Sequence, residues 1–204
     1  MHHPRREAAK RLFEIAEDQQ GFFTAKQAKA VGYAENTHPY HVHAGNWIRE
    51  HRGIYRLANF PHTERPDLML WSLWSRNRAG AVQGVFSHET ALSLYDLTDV
   101  MPSRLHMTVP LRFRRNGAIP RVMILHRADL SESDTGRRDG VRVTIPLRTL
   151  LDVQAEEILP LSTLRQAARE ALRRGLIRQS EVAGAEKLLG TEHTQDFAPS
   201  VAVT

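Results

Sequence analysis

The sequence predicts an α+β protein, in which an N-terminal winged helix-turn-helix domain precedes a mixed α/β C-terminal domain. Two observations predict this architecture. Residues 1–60 show three short helical patterns and then a basic hairpin, which is the order of elements in a winged helix. Further along the chain, helical and strand patterns are mixed. The predicted divisions are a winged-helix domain at 1–60, an α+β domain at 61–190 and a mobile tail at 191–204.

The composition narrows the class of protein. The chain has 204 residues with 28 Lys+Arg against 23 Asp+Glu, and the net charge of +5 favours an acidic partner such as nucleic acid. It contains no cysteine, which excludes disulfides, thiolate metal sites and cysteine nucleophiles. The N-terminus lacks the apolar core of a signal peptide, and no apolar run approaches the roughly 18 residues of a membrane span. We therefore expect a soluble, cytoplasmic protein.

Three helices are predicted before the hairpin. The first spans Pro4 to about Gln19, where apolar residues recur at helical spacing. Thr24 and Gln27 form a capping-box pattern at the start of the second helix, and Gly32 is its expected end. The third helix spans about residues 37–45, because a proline is tolerated in the first turn of a helix.

The stretch "GNWIREHRGIYRL" predicts the hairpin. One strand runs from Trp47 to Glu50 and the other from Ile54 to Leu57, with Gly53 supplying a positive φ at the turn. The side chains expected on the packed face are Trp47, Ile48 and Tyr55.

The connection to the second domain is predicted at "ANFPHTERPD", residues 58–67, which contains two prolines and several polar residues. The predicted helices that follow are "DLMLWSLWSRN", "HETALSLYDL" with Ser87 as N-cap, "PLRTLLDV", "STLRQAAREALRRG" with Ser162 as N-cap and Gly175 as stop, and residues 180–189. The predicted strands are "AVQGVF", "RLHMTV", "VMILHR" and "VRVTI", of which "RLHMTV" alternates polar and apolar residues.

A winged helix suggests which residues would contact DNA, since its second motif helix enters the major groove. The side chains that this helix would present to base edges are Asn36, Thr37, His38, Tyr40 and His41. The wing would bring Arg49, His51 and Arg52 to the phosphate backbone, and Thr24 and Lys26 would meet phosphate at the start of the preceding helix. The alternative is a basic three-helix domain that does not bind DNA.

A second basic feature spans Met101 to Arg127, which holds six arginines and no acidic residue. Arginine forks suit phosphates and carboxylates, so a nucleic-acid or partner contact is one interpretation of this stretch. A solvated hairpin is the other. The candidate contacts are Arg104, Arg112, Arg114 and Arg115.

Catalysis and metal binding find little support in the sequence. "SHETA" begins like the zinc motif H-E-x-x-H, but Leu92 occupies the position of the second histidine. His41 and His43 are two residues apart and point to different faces of a helix. His88 and Glu89 are expected to be structural residues at a helix start. We therefore expect no catalytic residue, metal or cofactor; the alternative is a metal-dependent nucleic-acid-processing enzyme that uses "SHET" and nearby aspartates.

Several stretches together resemble the AbiEi family, the antitoxins of type IV toxin–antitoxin systems. They are "GFFTAKQAKAVGY", "GNWIREHRGIYRLANFP", "VFSHETALSLYDLTDVMPSRLHMTVP", "GVRVTIPLRTLLDV" and "EALRRGLI", in the family's order. The family pattern "GxWxRxxRGxYR" falls on Gly45, Trp47, Arg49, Arg52, Gly53, Tyr55 and Arg56. Pro39 and its neighbouring histidines depart from what we expect of a recognition helix, which leaves the operator sequence open.

The resemblance implies a DNA-binding autorepressor that binds inverted repeats in its own promoter as a dimer or a cooperative pair. It also implies that the C-terminal domain counters a nucleotidyltransferase-like toxin without forming a stable complex with it. Some relatives carry an additional nuclease-like segment whose carboxylates this chain lacks, so we expect no enzyme. A protein-interaction module without DNA binding is a further alternative.

Overall fold

The computed structural model of the chain describes residues 4–99 and 101–189, and the predicted tail at 191–204 lies outside this part. The fold is α+β, with a winged-helix unit (residues 4–60) followed by a C-terminal unit (residues 66–189) built on a mixed sheet. Within the described residues, no helix combines the length and apolar character that crossing a membrane requires.

The winged-helix unit contains the three predicted helices and the predicted hairpin. One strand was not predicted: "FFT" forms a short strand before the second helix and pairs antiparallel with the last strand of the hairpin. The elements are α1 (Pro4–Glu17), β1 (Phe22–Thr24), α2 (Ala25–Ala30), a 3-10 turn (Glu35–Thr37), α3 (His38–His43), β2 (Trp47–His51) and β3 (Ile54–Leu57), and the strand order is β1-β3-β2.

Local sequence signals explain most of these boundaries. The predicted capping box is present: the Thr24 hydroxyl accepts from the backbone N–H of Gln27, and the Gln27 side chain accepts from the Thr24 N–H. This closes the N-terminus of α2 by satisfying two donors that have no partner within the helix. Gly53 lies at φ +71° in the hairpin turn, a conformation that favours glycine.

The three-stranded sheet is covered on both faces. Phe23, Trp47 and Tyr55 share one face and pack with α1–α3. Phe22 and Ile54 point to the other face, where they join the core of the C-terminal unit. Helix α4 (Pro66–Trp74) of that unit contacts β1 and β3 directly. The two units are therefore joined through a shared apolar core as well as by the connecting segment.

The C-terminal unit has a five-stranded mixed sheet in the order β6-β5-β4-β8-β7. The pairs β5–β6 and β4–β8 are parallel, and the other pairs are antiparallel. Its elements are α4 (Pro66–Trp74), β4 (Val85–Phe86), α5 (His88–Leu94), β5 (Leu105–Val109), β6 (Met123–Arg127), β7 (Thr135–Arg138), β8 (Val141–Thr144), α6 (Pro146–Ala155), α7 (Leu161–Arg173) and α8 (Val182–Leu189).

Several local expectations for this unit need correction. The predicted strand "RLHMTV" is present as β5, and all five of its residues are buried despite the alternation of polar and apolar residues, because β5 lies inside the sheet. Ser87 occupies the N-cap of α5 without a capping hydrogen bond, and Ser162 lies inside α7, whose N-cap is Pro160. Strand β7 was not predicted, and "AVQGVF" forms only two strand residues.

Polar contacts also connect the two units. Gln20 Nε2 donates to the Asp139 carbonyl at 2.7 Å. Lys26 Nζ donates to the carbonyls of Arg78 and Ala79 at 2.9 and 3.0 Å. Arg76 Nη1 lies 3.5 Å from the Thr24 hydroxyl, so the loop after α4 approaches the start of α2.

Candidate nucleic-acid interface

The recognition segment, defined as the 3-10 turn and α3 (residues 35–43), presents two of the predicted base contacts to solvent. Asn36 is exposed, and 67% of Tyr40 is accessible. Thr37 is half-buried, and its hydroxyl donates to the Ala34 carbonyl at 2.7 Å, which closes the turn that leads into α3. Asn36 and Tyr40 are therefore the accessible polar groups among the five residues predicted here.

The two histidines of this segment belong to an aromatic cluster. His38 is only 3% exposed, and its ring lies 5.3 Å from the Trp47 ring and 5.7 Å from the Tyr55 ring. Its Nε2 lies 3.3 Å from the Tyr33 carbonyl. The prediction that His38 contacts base edges is wrong, because the side chain points into the core and fixes α3 on the sheet.

His41 lies at the edge of the same cluster. Its ring stacks on Trp47 at a centroid distance of 4.5 Å and an interplanar angle of 21°. Partial burial, together with the nearby His38, lowers the pKa of His41 below its ordinary value. The half-buried imidazole is therefore mainly neutral at pH 7, so it is available for a hydrogen bond rather than for an ion pair.

The wing exposes two of its three predicted phosphate contacts. Arg49 and Arg52 are exposed, and among the described residues neither has a carboxylate within 4.0 Å. Arg49 lies opposite Tyr55 on the sheet face that carries Trp47, which is the face against which α3 packs. Arg49 and the recognition segment therefore lie on the same side of the sheet.

Two other wing residues differ from the sequence prediction. His51 is half-buried, because its ring packs edge-on against Trp71 of α4 at 5.6 Å. Ile48 was expected on the packed face but is 38% exposed, since it alternates with Trp47 and Arg49 along β2. The C-terminal unit therefore packs against the wing at His51.

Thr24 and Lys26 lie where the two units meet. The Thr24 hydroxyl takes part in the capping box, and the Lys26 ammonium donates to the two carbonyls of the loop after α4. Lys26 remains on the surface, next to the exposed side chain of Arg78. Sequence reasoning missed Arg76 and Arg78, because only the docking of the two units brings them beside α2.

The arginines in the stretch from Met101 to Arg127 have different environments. The Arg115 guanidinium lies 4.9 Å from the centre of the Trp74 ring, and its Nη1 donates to the Arg76 carbonyl at 3.1 Å. Burial lowers the pKa of Arg115, although the side chain stays charged. Arg104, Arg112 and Arg114 are exposed. Because Arg115 is tied to Arg76, the loop at 112–115 lies on the side of the molecule where α2 begins.

The C-terminal unit contains a group of three histidines whose proximity the sequence did not predict. His88, His106 and His126 converge, with ligand nitrogens that all lie within 4.8 Å of one another. Burial, together with His126, lowers the pKa of both His88 and His106 to about 4. Neither residue therefore carries a charge at pH 7. In the sequence, one histidine occurs in each of the consecutive elements α5, β5 and β6. This pattern indicates a cluster only once the pairing of β5 with β6 is known.

Comparisons with known proteins agree with the sequence resemblance. Residues 10–58 match the family model described as a transcriptional regulator, AbiEi antitoxin. The fold is similar to the crystal structure of the RV2827C protein from Mycobacterium tuberculosis, with 15% identity, a TM-score of 0.51, and coverage of 92% of this chain and 82% of that chain. No curated protein matches the sequence. The segment 10–58, which holds α3 and the wing, therefore matches the AbiEi antitoxin family of transcriptional regulators, as its motifs predicted.

Proposed function

We propose that this protein is a DNA-binding autorepressor and the antitoxin of a type IV toxin–antitoxin system. One observation carries the proposal: within a segment of the AbiEi family, the exposed Asn36 and Tyr40 lie on the same side of the sheet as the exposed Arg49. A helix that presents polar groups beside an unpaired arginine is suited to base edges and phosphates at once.

The groups have distinct tasks in this proposal. The Asn36 amide both donates and accepts, which suits the N6 and N7 atoms of adenine in the major groove. Tyr40 offers a hydroxyl and a ring face to bases or to the backbone. Arg49 and Arg52 neutralise phosphates beside the groove. His38 and Trp47 act indirectly, because they hold α3 at its angle to the sheet.

The second unit extends this surface. Lys26, Arg78 and the loop at 112–115 lie around the junction of the units, and Arg112 and Arg114 are exposed there. We propose that these cations contact phosphates outside the half-site without reading sequence. Inverted repeats in the promoter would then be occupied by a dimer or by two copies that load cooperatively.

A footprint on the DNA upstream of the chain's own coding region tests the proposal. We expect two protected half-sites, and a binding constant that falls with salt by about 0.9 log units per log unit for each phosphate neutralised. Arg49→Ala/Arg52→Ala should weaken binding. It should also reduce the slope of the logarithm of the binding constant against the logarithm of the salt concentration, by up to about 1.8 if each arginine neutralises one phosphate. Arg169→Ala, which removes an exposed arginine from α7, is the matched control and should change neither quantity.

Two results would contradict the DNA-binding role. One is the absence of protection at low salt, and the other is an unchanged affinity of the double wing variant. The second result would favour an interaction module in which the wing is only structural.

The antitoxin role needs a separate test, because it belongs to the C-terminal unit in this proposal. The Arg49→Ala/Arg52→Ala variant is expressed in cells together with the nucleotidyltransferase-like toxin. We expect growth to be rescued although repression is lost, and no stable complex to co-purify. A variant that loses repression and rescue together would mean that the two activities are not separable.

A further inference from the structure

The three histidines of the C-terminal unit are brought together by strand pairing. His106 and Thr108 point to the same face of β5, and the parallel register pairs Thr108 with His126 of β6. His126 therefore projects beside His106 on that face. His88, the first residue of α5, meets both rings from the helix layer, with its ring centre 3.6 Å from that of His126 and 5.9 Å from that of His106. We call these residues the three-histidine cluster.

The cluster is closed to solvent by the surrounding protein. The exposed fractions of the side chains of His88, His106 and His126 are 3%, 5% and 10%. Burying three imidazoles in contact with one another forfeits their hydration, and the structure must compensate for that loss. Three apolar side chains of similar size would fill the same space without this cost.

In each ring, one nitrogen contacts a side-chain oxygen at the rim of the cluster, and we call it the outer nitrogen. The other nitrogen of the ring is the inner nitrogen. His106 Nε2 lies 3.0 Å from Glu89 Oε2, and His126 Nδ1 lies 2.9 Å from Glu156 Oε1. His88 Nδ1 lies 2.9 Å from the Ser87 hydroxyl, which in turn accepts from Thr108. A carboxylate accepts a hydrogen bond from a ring N–H, so Glu89 and Glu156 fix the tautomers of His106 and His126. This is the arrangement in which proteins orient metal-binding histidines.

Two of the inner nitrogens face each other without a hydrogen atom to form a hydrogen bond between them. With the outer nitrogens protonated, His106 Nδ1 and His126 Nε2 both carry lone pairs, yet they lie 3.0 Å apart. His88 Nε2 is buried and has no hydrogen-bond partner of good geometry within residues 4–99 and 101–189, although Glu156 Oε1 lies 3.3 Å away. A cation between His106 Nδ1 and His126 Nε2, either a proton or a metal ion, would satisfy both lone pairs.

We propose that His88 Nε2, His106 Nδ1 and His126 Nε2 bind a divalent transition-metal ion, for which Zn²⁺ is the best match. Neutral imidazoles and a carboxylate are typical ligands of Zn²⁺, and the cluster offers neither the thiolates nor the many oxygens that other ions prefer. Glu156, whose side chain is 48% exposed, lies 3.3 Å from His88 Nε2 and 2.9 Å from His126 Nδ1, and it is the candidate fourth ligand. This inference stands independently of the proposed function.

Binding requires a small rearrangement of the rings. His88 and His126 are stacked with only 14° between their planes, so their lone pairs point in parallel directions. A tetrahedral Zn²⁺ needs ligand nitrogens about 3.4 Å apart whose lone pairs converge, given Zn–N distances of about 2.1 Å. His126 is the least buried of the three and is the ring that we expect to turn. The ion then replaces the contact between His106 and His126.

Metal binding is tested on the full chain, purified without a histidine tag and stripped with a chelator. We expect one Zn²⁺ per chain after dialysis, and Co²⁺ to give the strong visible absorption of a tetrahedral site that Zn²⁺ then removes. His126→Gln should abolish both signals. Glu89→Gln touches only the outer nitrogen of His106 and should weaken the affinity by about 10–100-fold.

Two control variants separate this site from other histidines. His62→Gln changes an exposed histidine of the connecting segment, and His2→Gln/His3→Gln removes the pair at the N-terminus. Both should keep one tightly bound ion per chain. Circular dichroism of each variant establishes that it is folded, and the Co²⁺ spectrum of the unmodified chain does not depend on any variant.

The outcomes divide clearly. Loss of the ion in His126→Gln with retention in both controls supports the site. An unmodified chain that binds no Zn²⁺ or Co²⁺ at micromolar free metal overturns the proposal. So does binding that survives His126→Gln but disappears in His2→Gln/His3→Gln.

Discussion

The two units each bury histidines, but they surround them with different partners. In the winged-helix unit, His38 and His41 pack against the rings of Trp47, Tyr33 and Tyr55. In the C-terminal unit, the three-histidine cluster packs mainly against itself, with Glu89 and Glu156 at its rim. The first set packs as aromatic rings, and the second set brings ring nitrogens within 4.8 Å of one another.

The difference shows that a histidine's role follows from its neighbours. An aromatic ring offers an imidazole dispersion and an edge-to-face contact, and it fixes no tautomer. A carboxylate on one nitrogen fixes the proton there and aims the other nitrogen's lone pair in the opposite direction. Burial alone therefore does not identify a site, whereas burial together with fixed tautomers does.

The largest expected effect comes from breaking the aromatic cluster. Trp47→Ala removes the ring that contacts both His38 and His41, and it should lower the free energy of unfolding by about 3–5 kcal/mol. DNA binding should weaken as well, because α3 loses its support. Urea denaturation measures the change, and Ile48→Ala, one residue along the same strand, should cost less than about 0.5 kcal/mol. Equal costs for the two substitutions would contradict the assignment of the strand's faces.

An intermediate effect is expected from acidifying the metal-free chain. The pKa of His88 and of His106 is about 4 in the folded state, because burial and His126 disfavour the charged rings, against about 6.5 when unfolded. The unfolded chain therefore binds more protons between pH 6.5 and 4. Stability is complete above pH 6.5 and falls as the pH drops towards 4.

Urea unfolding at a series of pH values measures this dependence. The titratable and charged groups that face the two rings are His126, Glu89, Glu156 and Arg104. His106→Gln should remove up to one proton from the slope between pH 6.5 and 4, whereas His62→Gln should leave it unchanged. A slope that is the same in both variants would show that the three-histidine cluster does not titrate in this way.

The smallest effect on stability is expected at the surface of the recognition segment. Tyr40 is 67% exposed, so Tyr40→Ala should change the free energy of unfolding by less than about 0.5 kcal/mol. DNA affinity should nevertheless fall, because the proposed function places this exposed tyrosine against the DNA. Binding titrations on the promoter fragment measure it. An unchanged affinity would restrict recognition to Asn36 and the wing.

Much of the winged-helix unit could be predicted because its signals are local. The Thr24–Gln27 capping box and Gly53 act within a few residues of themselves. Strand β1 escaped prediction because three residues carry no periodicity, and they become a strand only when β3 pairs with them. His38 and Ile48 were assigned to the wrong sides, since short elements leave the direction of each side chain to the packing.

The sequence by itself determined the order of elements in the winged helix, its caps and turns, the exposed arginines of the wing and the similarity of residues 10–58 to the AbiEi family. These properties depend on spacing, charge and local hydrogen bonds. Only the tertiary structure decided that the C-terminal unit braces the wing at His51 and that His88, His106 and His126 meet. Both depend on contacts between residues about 20 or more positions apart, such as the 20 that separate His106 from His126. Strand register and helix packing set such contacts, and no local pattern encodes them.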